Sequence, residues 1–88
     1  RGFGTPMGAW LKTDLAPVLD RLLSPEVVRS RGLFREGVVT RLVRDHRANR
    51  FDGTDILLAL MNLEIWSRIY LDGRDAADVA AELKGLAA

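Results

Sequence analysis

Apolar residues along this chain recur at steps of three and four, and no stretch alternates strictly between apolar and polar. That period belongs to helices that bury one face, whereas a half-buried strand would alternate. Met7, Trp10 and Leu11 suit a short helical turn after a lead-in broken by Gly2, Gly4, Pro6 and Gly8. Leu15, Val18, Leu19, Leu22 and Leu23 then predict a helix, with Asp14 as its N-cap and Pro17 inside the first turn, where a missing amide hydrogen costs little. Ser24-Pro25-Glu26 restarts the pattern, because a hydroxyl cap, a proline at the first helical position and an acid near the positive helix end together nucleate a new helix. Val27 and Val28 give that helix its apolar side, and Gly32 is a natural stop.

The next helix is predicted over about residues 35–48, where Val39, Leu42, Val43 and His46 share a face. Thr54 or Asp55 is expected to cap the last strong helix, which runs to about Tyr70. Ile56, Leu57, Leu60, Leu63, Ile65, Trp66 and Ile69 surround much of its circumference, the mark of a helix buried among others. It is therefore the expected centre, with Leu42, Val43, Leu60, Leu63 and Trp66 buried. Beyond Leu71-Asp72-Gly73 the chain turns to alanine and charge, with only Val79, Leu83 and Leu86 as a thin stripe. Residues 72–88 are accordingly expected to be a marginal helix or disordered, since little apolar area offsets the ordering entropy. The fold class is all-α, a small bundle of four to five helices formed by residues 1–71.

Composition narrows the field. The 88 residues allow one domain at most, and the absence of cysteine excludes a disulfide framework or a zinc–cysteine staple. A reducing cytoplasm is the simpler location for such a chain. The longest apolar run, Ile56 to Met61, is far below the roughly 18 residues of a membrane span, so no membrane partner is expected. The chain opens on Arg1 and is expected to be cut from something longer. Its net charge of +1 hides a basic middle and an acidic end: residues 29–50 hold seven arginines, and residues 51–88 hold seven acids.

The candidate chemistry is incomplete. His46 is the sole histidine and lies on an apolar helix face, which suits a core-edge residue bonded to a backbone carbonyl better than a ligand or base. Glu64 falls within the most apolar helix and Arg68 is its i+4 neighbour, so a structural ion pair is expected there. Gly2-Phe3-Gly4 lacks the lysine and the preceding strand of a phosphate loop. Arg41, Arg44, Arg47 and Arg50 drift around their helix with no interleaved aromatics, so nucleic acid is not the expected partner. No metal site is expected within the chain.

The order of particular residues says more. Gly2-Phe3, Pro6 and Trp10-Leu11 are followed by Leu22-Leu23, then Gly32-Leu33-Phe34, then Val39 with Leu42 and His46. Leu57 and Ala59-Leu60-Met61-Asn62-Leu63-Glu64-Ile65-Trp66 come next, with Arg68 and Tyr70. This succession resembles the C-terminal end of glutamine-hydrolysing asparagine synthetases over about residues 1–71. The resemblance implies a parent with an N-terminal glutaminase domain and an α/β ATP-pyrophosphatase-type synthetase domain, of which this chain is the C-terminal helical part. Such a parent uses ATP and Mg²⁺ to adenylate the side-chain carboxylate of aspartate, and ammonia from glutamine then displaces AMP. This chain itself is expected to bind no cofactor and to be inactive alone. Gly2, Phe3 and Gly4 would form a loop beside the active site, following a lysine that the family carries just upstream. The implied partners are the remainder of the synthetase domain and the glutaminase domain, with a homodimer of the parent a further option. Relatives with the same adenylation chemistry act on other carboxylates, and an unrelated helical nucleic-acid- or protein-binding module is the rival reading.

Overall fold

The computed structural model describes residues 7–87. In chain order the helices are α1 (Met7–Trp10), α2 (Ala16–Leu22), α3 (Pro25–Arg31), α4 (Glu36–Arg47), α5 (Thr54–Tyr70) and α6 (Ala76–Ala87). α1 is a single turn, which leaves a bundle of five longer helices, and no strand occurs among the described residues. The all-helical expectation holds.

Local chemistry explains most of the boundaries. The Ser24 hydroxyl accepts the Val27 amide at 3.2 Å, with Pro25 at the first helical position of α3. Gly32 closes α3 at φ 74°, a left-handed conformation that a side chain would strain. Two expected caps do not form. α2 begins at Ala16 with no side-chain cap, because the preceding residues are already committed to a turn in which the Thr13 and Leu15 amides both donate to the Trp10 carbonyl, at 3.0 and 2.8 Å. Asp14 therefore caps nothing at α2. At α5 the cap position is Gly53, and the work falls to Asp52, whose carboxylate accepts the Thr54 amide at 3.1 Å and the Thr54 hydroxyl at 2.6 Å. Thr54 is thus the first helical residue rather than the cap.

The core is centred on α2, not on α5. Leu19 and Leu22 are fully buried together with Leu11 and Leu57, and Val18, Leu23, Val28, Val39 and Met61 complete the cluster. Each such side chain contributes on the order of 1.5–3 kcal/mol through the apolar area it removes from water. The expected burial of Leu42, Val43, Leu60, Leu63 and Trp66 is corrected: the first four are only half-buried, and Trp66 is 50% exposed. The reason is a mismatch between apolar circumference and available partners. α2, α4 and α6 cover the stripe of α5 that carries Leu57, Met61, Glu64 and Arg68, and nothing among the described residues covers the opposite side, where the Trp66 and Tyr70 rings lie 5.4 Å apart at a tilt of 37°. The alanine-rich end is helical over α6 and packs on α2 and α5, with Val79 1% exposed. No helix among the described residues is long and apolar enough to cross a membrane.

Candidate functional site

Gly2, Phe3 and Gly4 lie outside the described residues, and α1, where the described residues begin, is tied to His46. The Gly8 carbonyl of α1 is 2.9 Å from His46 Nε2, and the Gly53 amide donates to His46 Nδ1 at 3.0 Å. Since Nδ1 must accept, the ring is neutral with its hydrogen on Nε2, and that hydrogen is donated to Gly8. His46 is 2% exposed. It is the carbonyl-bonded core histidine expected from its helical face, and it joins α1 to the α4–α5 junction. Gly8 also needs to be glycine: a Cβ there would lie 2.8 Å from the Thr54 hydroxyl, which Asp52 already holds. Lys12 reaches across to the side-chain oxygen of Asn49, a residue at φ 62° in the turn after α4.

The second constellation is a charge cluster under α5. Arg68 Nε lies 2.9 Å from Glu64 Oε2, the i+4 pair. Glu64 is also gripped from α3, where Arg31 donates Nε to Oε1 at 3.0 Å and Nη2 to Oε2 at 2.7 Å. The same guanidinium makes a second fork to Asp72, with both bonds at 2.9 Å. Glu82 of α6 binds Arg21 at 2.6 Å and Arg74 at 3.0 Å, and stands 3.6 Å from Arg68. One network thus ties α2, α3, α5 and α6. Local spacing revealed only the Glu64–Arg68 pair, because Arg31 lies 33 residues from Glu64 and 41 from Asp72. The available signal was stoichiometric: a buried carboxylate has more acceptor positions than one i+4 arginine can fill.

These contacts shift the ionisations. Arg31 is raised further above its already high value, chiefly by its bonds to Glu64 and then to Asp72. Arg31 in turn holds the Asp72 carboxyl below the ordinary aspartate value of 3.8, and Arg74, then Arg21, hold Glu82 below 4.5. A depressed carboxyl binds its proton less tightly folded than unfolded, so its stabilisation is complete above the unfolded value and is lost as pH falls through the folded one. The melting temperature is therefore expected to fall as the pH drops below about 4.5 and to keep falling below 3.8. Thermal melts of D72N and E82Q across that range should show flatter acid limbs than the parent, and identical limbs would contradict the assignment.

No buried side-chain nitrogen or oxygen among the described residues lacks a partner, and the outer side of the cluster lines an open pocket of about 510 Å³ together with Glu26, Val27 and Ser30. The arginines at 41, 44, 47 and 50 do not form one surface. Arg47 is bound to Asp20 at 2.9 Å and Arg50 to Asp45 at 3.3 Å. Arg44 and Arg47 line one open groove of about 670 Å³ with Leu19, Leu23 and Val43, and Arg41 lines a different one of about 680 Å³ with Val38 and Phe51. Among the described residues no group of three or more histidines and acids could hold a metal ion.

A family model described as asparagine synthase matches residues 1–68. The chain belongs to the asparagine synthase family. Comparison with curated proteins and with solved structures gave no match. The family is one of ligases, which places the chain in a bond-forming enzyme. The asparagine synthase match takes in α1 to α4 and ends on Arg68 near the end of α5, leaving α6 outside it. The charge clamp nevertheless binds that outer helix, since Glu82 is held by Arg21, Arg68 and Arg74.

Proposed function

We propose that this chain is the C-terminal helical part of the synthetase domain of a glutamine-hydrolysing asparagine synthetase, which converts aspartate, ATP, glutamine and water to asparagine, AMP, pyrophosphate and glutamate. The observation that carries the reading is the asparagine synthase match across residues 1–68, to which the residue order from Gly2 to Tyr70 adds the C-terminal position. The role of the chain is scaffold beside the active site rather than the site itself. It has no cysteine to release ammonia from glutamine, and its described acids are either engaged with arginines or too dispersed to hold Mg²⁺. ATP and Mg²⁺ belong, on this reading, to the rest of the synthetase domain, where they supply activation of the aspartate carboxylate as an acyl-adenylate. What this chain does is mechanical. The His46 anchor holds α1 through Gly8, and the charge clamp ties α3, α5 and α6 together. The reading carries a cytoplasmic location, a glutaminase domain as partner and a parent able to form a homodimer.

The test is product analysis of the full protein that contains this chain, supplied with aspartate, ATP, Mg²⁺ and glutamine. Asparagine and AMP are expected in equal amounts, with no AMP from the 88 residues alone. AMP formed only with another carboxylate would move the assignment to a related amidotransferase. Absence of AMP with every carboxylate, alongside tight and salt-sensitive nucleic-acid binding, would replace it with a binding module.

A further inference from the structure

Most arginines of this chain are paired with carboxylates, but among the described residues Arg35, Arg41 and Arg44 are not. Arg35 and Arg41 line the same open groove, the one of about 680 Å³ that also holds Val38, Leu42 and Phe51. Val38 and Phe51 are exposed, and Asp45, the acid in that groove, is already bonded to Arg50 at 3.3 Å. Uncovered apolar surface and two uncompensated positive charges therefore share one face of α4. Gly37 lines the groove as well, and a Cβ there would meet nothing within 4 Å. The packing of the described residues does not call for a glycine at this helical position, where glycine is a poor helix former, whereas close approach of another backbone from outside does. None of the residues lining this groove belongs to the Trp66–Tyr70 side of α5, so it is a separate face.

We infer that this groove docks an acidic, amphipathic segment from the remainder of the synthetase domain, with apolar side chains against Val38, Leu42 and Phe51 and carboxylates on Arg35 and Arg41. The inference rests on the function proposed above. Charge selects the occupant. A second copy of the chain would set arginines against arginines, and its Asp45 is engaged by Arg50. Nucleic acid would lay phosphates over Val38, Leu42 and Phe51, whose side chains offer no donor. A segment carrying both acids and apolar residues satisfies the two guanidiniums and the apolar surface together, and charge-assisted bonds of that kind fix its register. Six positions separate Arg35 from Arg41, roughly 9 Å along a helix axis, so the docked segment carries acids about that far apart.

The experiment uses the full protein carrying Arg35→Lys or Arg41→Lys, substitutions that keep the charge at two exposed positions. A water-soluble carbodiimide joins a lysine amine to a carboxylate in contact with it, and mass spectrometry of the peptides identifies that carboxylate. Isotope-labelled and unlabelled protein are mixed first, so that links within one molecule stay isotopically pure. The expected result is isotopically pure links from both positions to acids of the same polypeptide outside the 88 residues. In the unsubstituted full protein Phe51 should be protected from hydroxyl radicals, and the double variant Arg35→Glu, Arg41→Glu should lose that protection. Links to Asp45 of the same chain alone, or no links with Phe51 oxidised equally fast in both proteins, would mean an open face and overturn the inference. Links between labelled and unlabelled molecules would give the groove to a second copy and overturn it as well. AMP formation is measured on the same samples: the expected links in a protein that makes no AMP from any carboxylate would uphold the docking groove and remove the synthetase reading alone.

Discussion

Replacing Glu64 with alanine should cost up to about 3–5 kcal/mol, because it takes the shared buried acceptor from two arginines largely removed from water and leaves Arg31 only Asp72 and Arg68 only Glu82 as carboxylate partners. Glu64 is 6% exposed, and its partners Arg31 and Arg68 have side chains 18% and 9% exposed. A chain of 88 residues is expected to have roughly 4–13 kcal/mol of stability in all, so the loss is enough to unfold much of the population. The contrast is Arg29→Ala, which removes a pair with Glu36 that is 3.5 Å long with both side chains well exposed. That change should cost under about 0.5 kcal/mol. Burial also predicts an unusual rescue. Changing Glu64, Arg31 and Arg68 together to methionine should recover most of the loss, since a buried ion network contributes little more than an apolar replacement of similar volume. Denaturant titration of the three proteins decides it. A Glu64→Ala loss below about 1 kcal/mol would mean that the clamp is solvated and does not organise the fold.

The second large effect concerns the uncovered side of α5. Trp66 is 50% exposed and Tyr70 68%, and Leu71, Ile56 and Trp10 add further exposed apolar surface. Single exposed apolar residues are ordinary, but a tilted aromatic pair on one helix face beside other apolar groups marks a surface that something covers. If the remainder of the synthetase domain covers it, Trp66→Glu has opposite consequences in two settings. In the 88 residues alone it should leave stability within about 0.5 kcal/mol and reduce association at high concentration, because the carboxylate stays in water. In the full protein it should destabilise by about 2–4 kcal/mol, because the charge must then enter an apolar interface. Equal and small effects in both settings would mean that the face is free.

Much of this fold was legible along the chain where the deciding chemistry is local. Ser24-Pro25-Glu26 and Gly32 bound α3 through contacts within a few residues, and α4 and α5 follow from their apolar spacing. Asp14 and Thr54 misled because a cap competes with neighbouring turns: the Trp10 carbonyl and the Asp52 carboxylate took the roles that spacing alone assigned elsewhere. Trp66 misled for a different reason. An apolar circumference tells that a helix will be surrounded, and says nothing about whether the surrounding elements belong to the same stretch of chain. Of the two forms expected for residues 72–88, the helical one is seen in α6, whose apolar stripe is thin and whose attachment is partly ionic, through Glu82 to arginines on other elements. At the candidate site, the bonded state of His46 could be anticipated from its helical face, but not the identity of Gly8 and Gly53 as its partners. Pairings across tens of residues leave no trace in spacing. Gly2, Phe3 and Gly4 lie outside the described residues, and their role rests on the proposed function.

The claim that this chain is scaffold packed within a larger synthetase domain is tested most directly by hydroxyl-radical footprinting of Trp66 and Tyr70, comparing the full protein with the 88-residue chain. The account predicts strong protection of both rings in the full protein and ready oxidation in the isolated chain, with Trp66 the sharper reporter. Oxidation equally fast in both would contradict it.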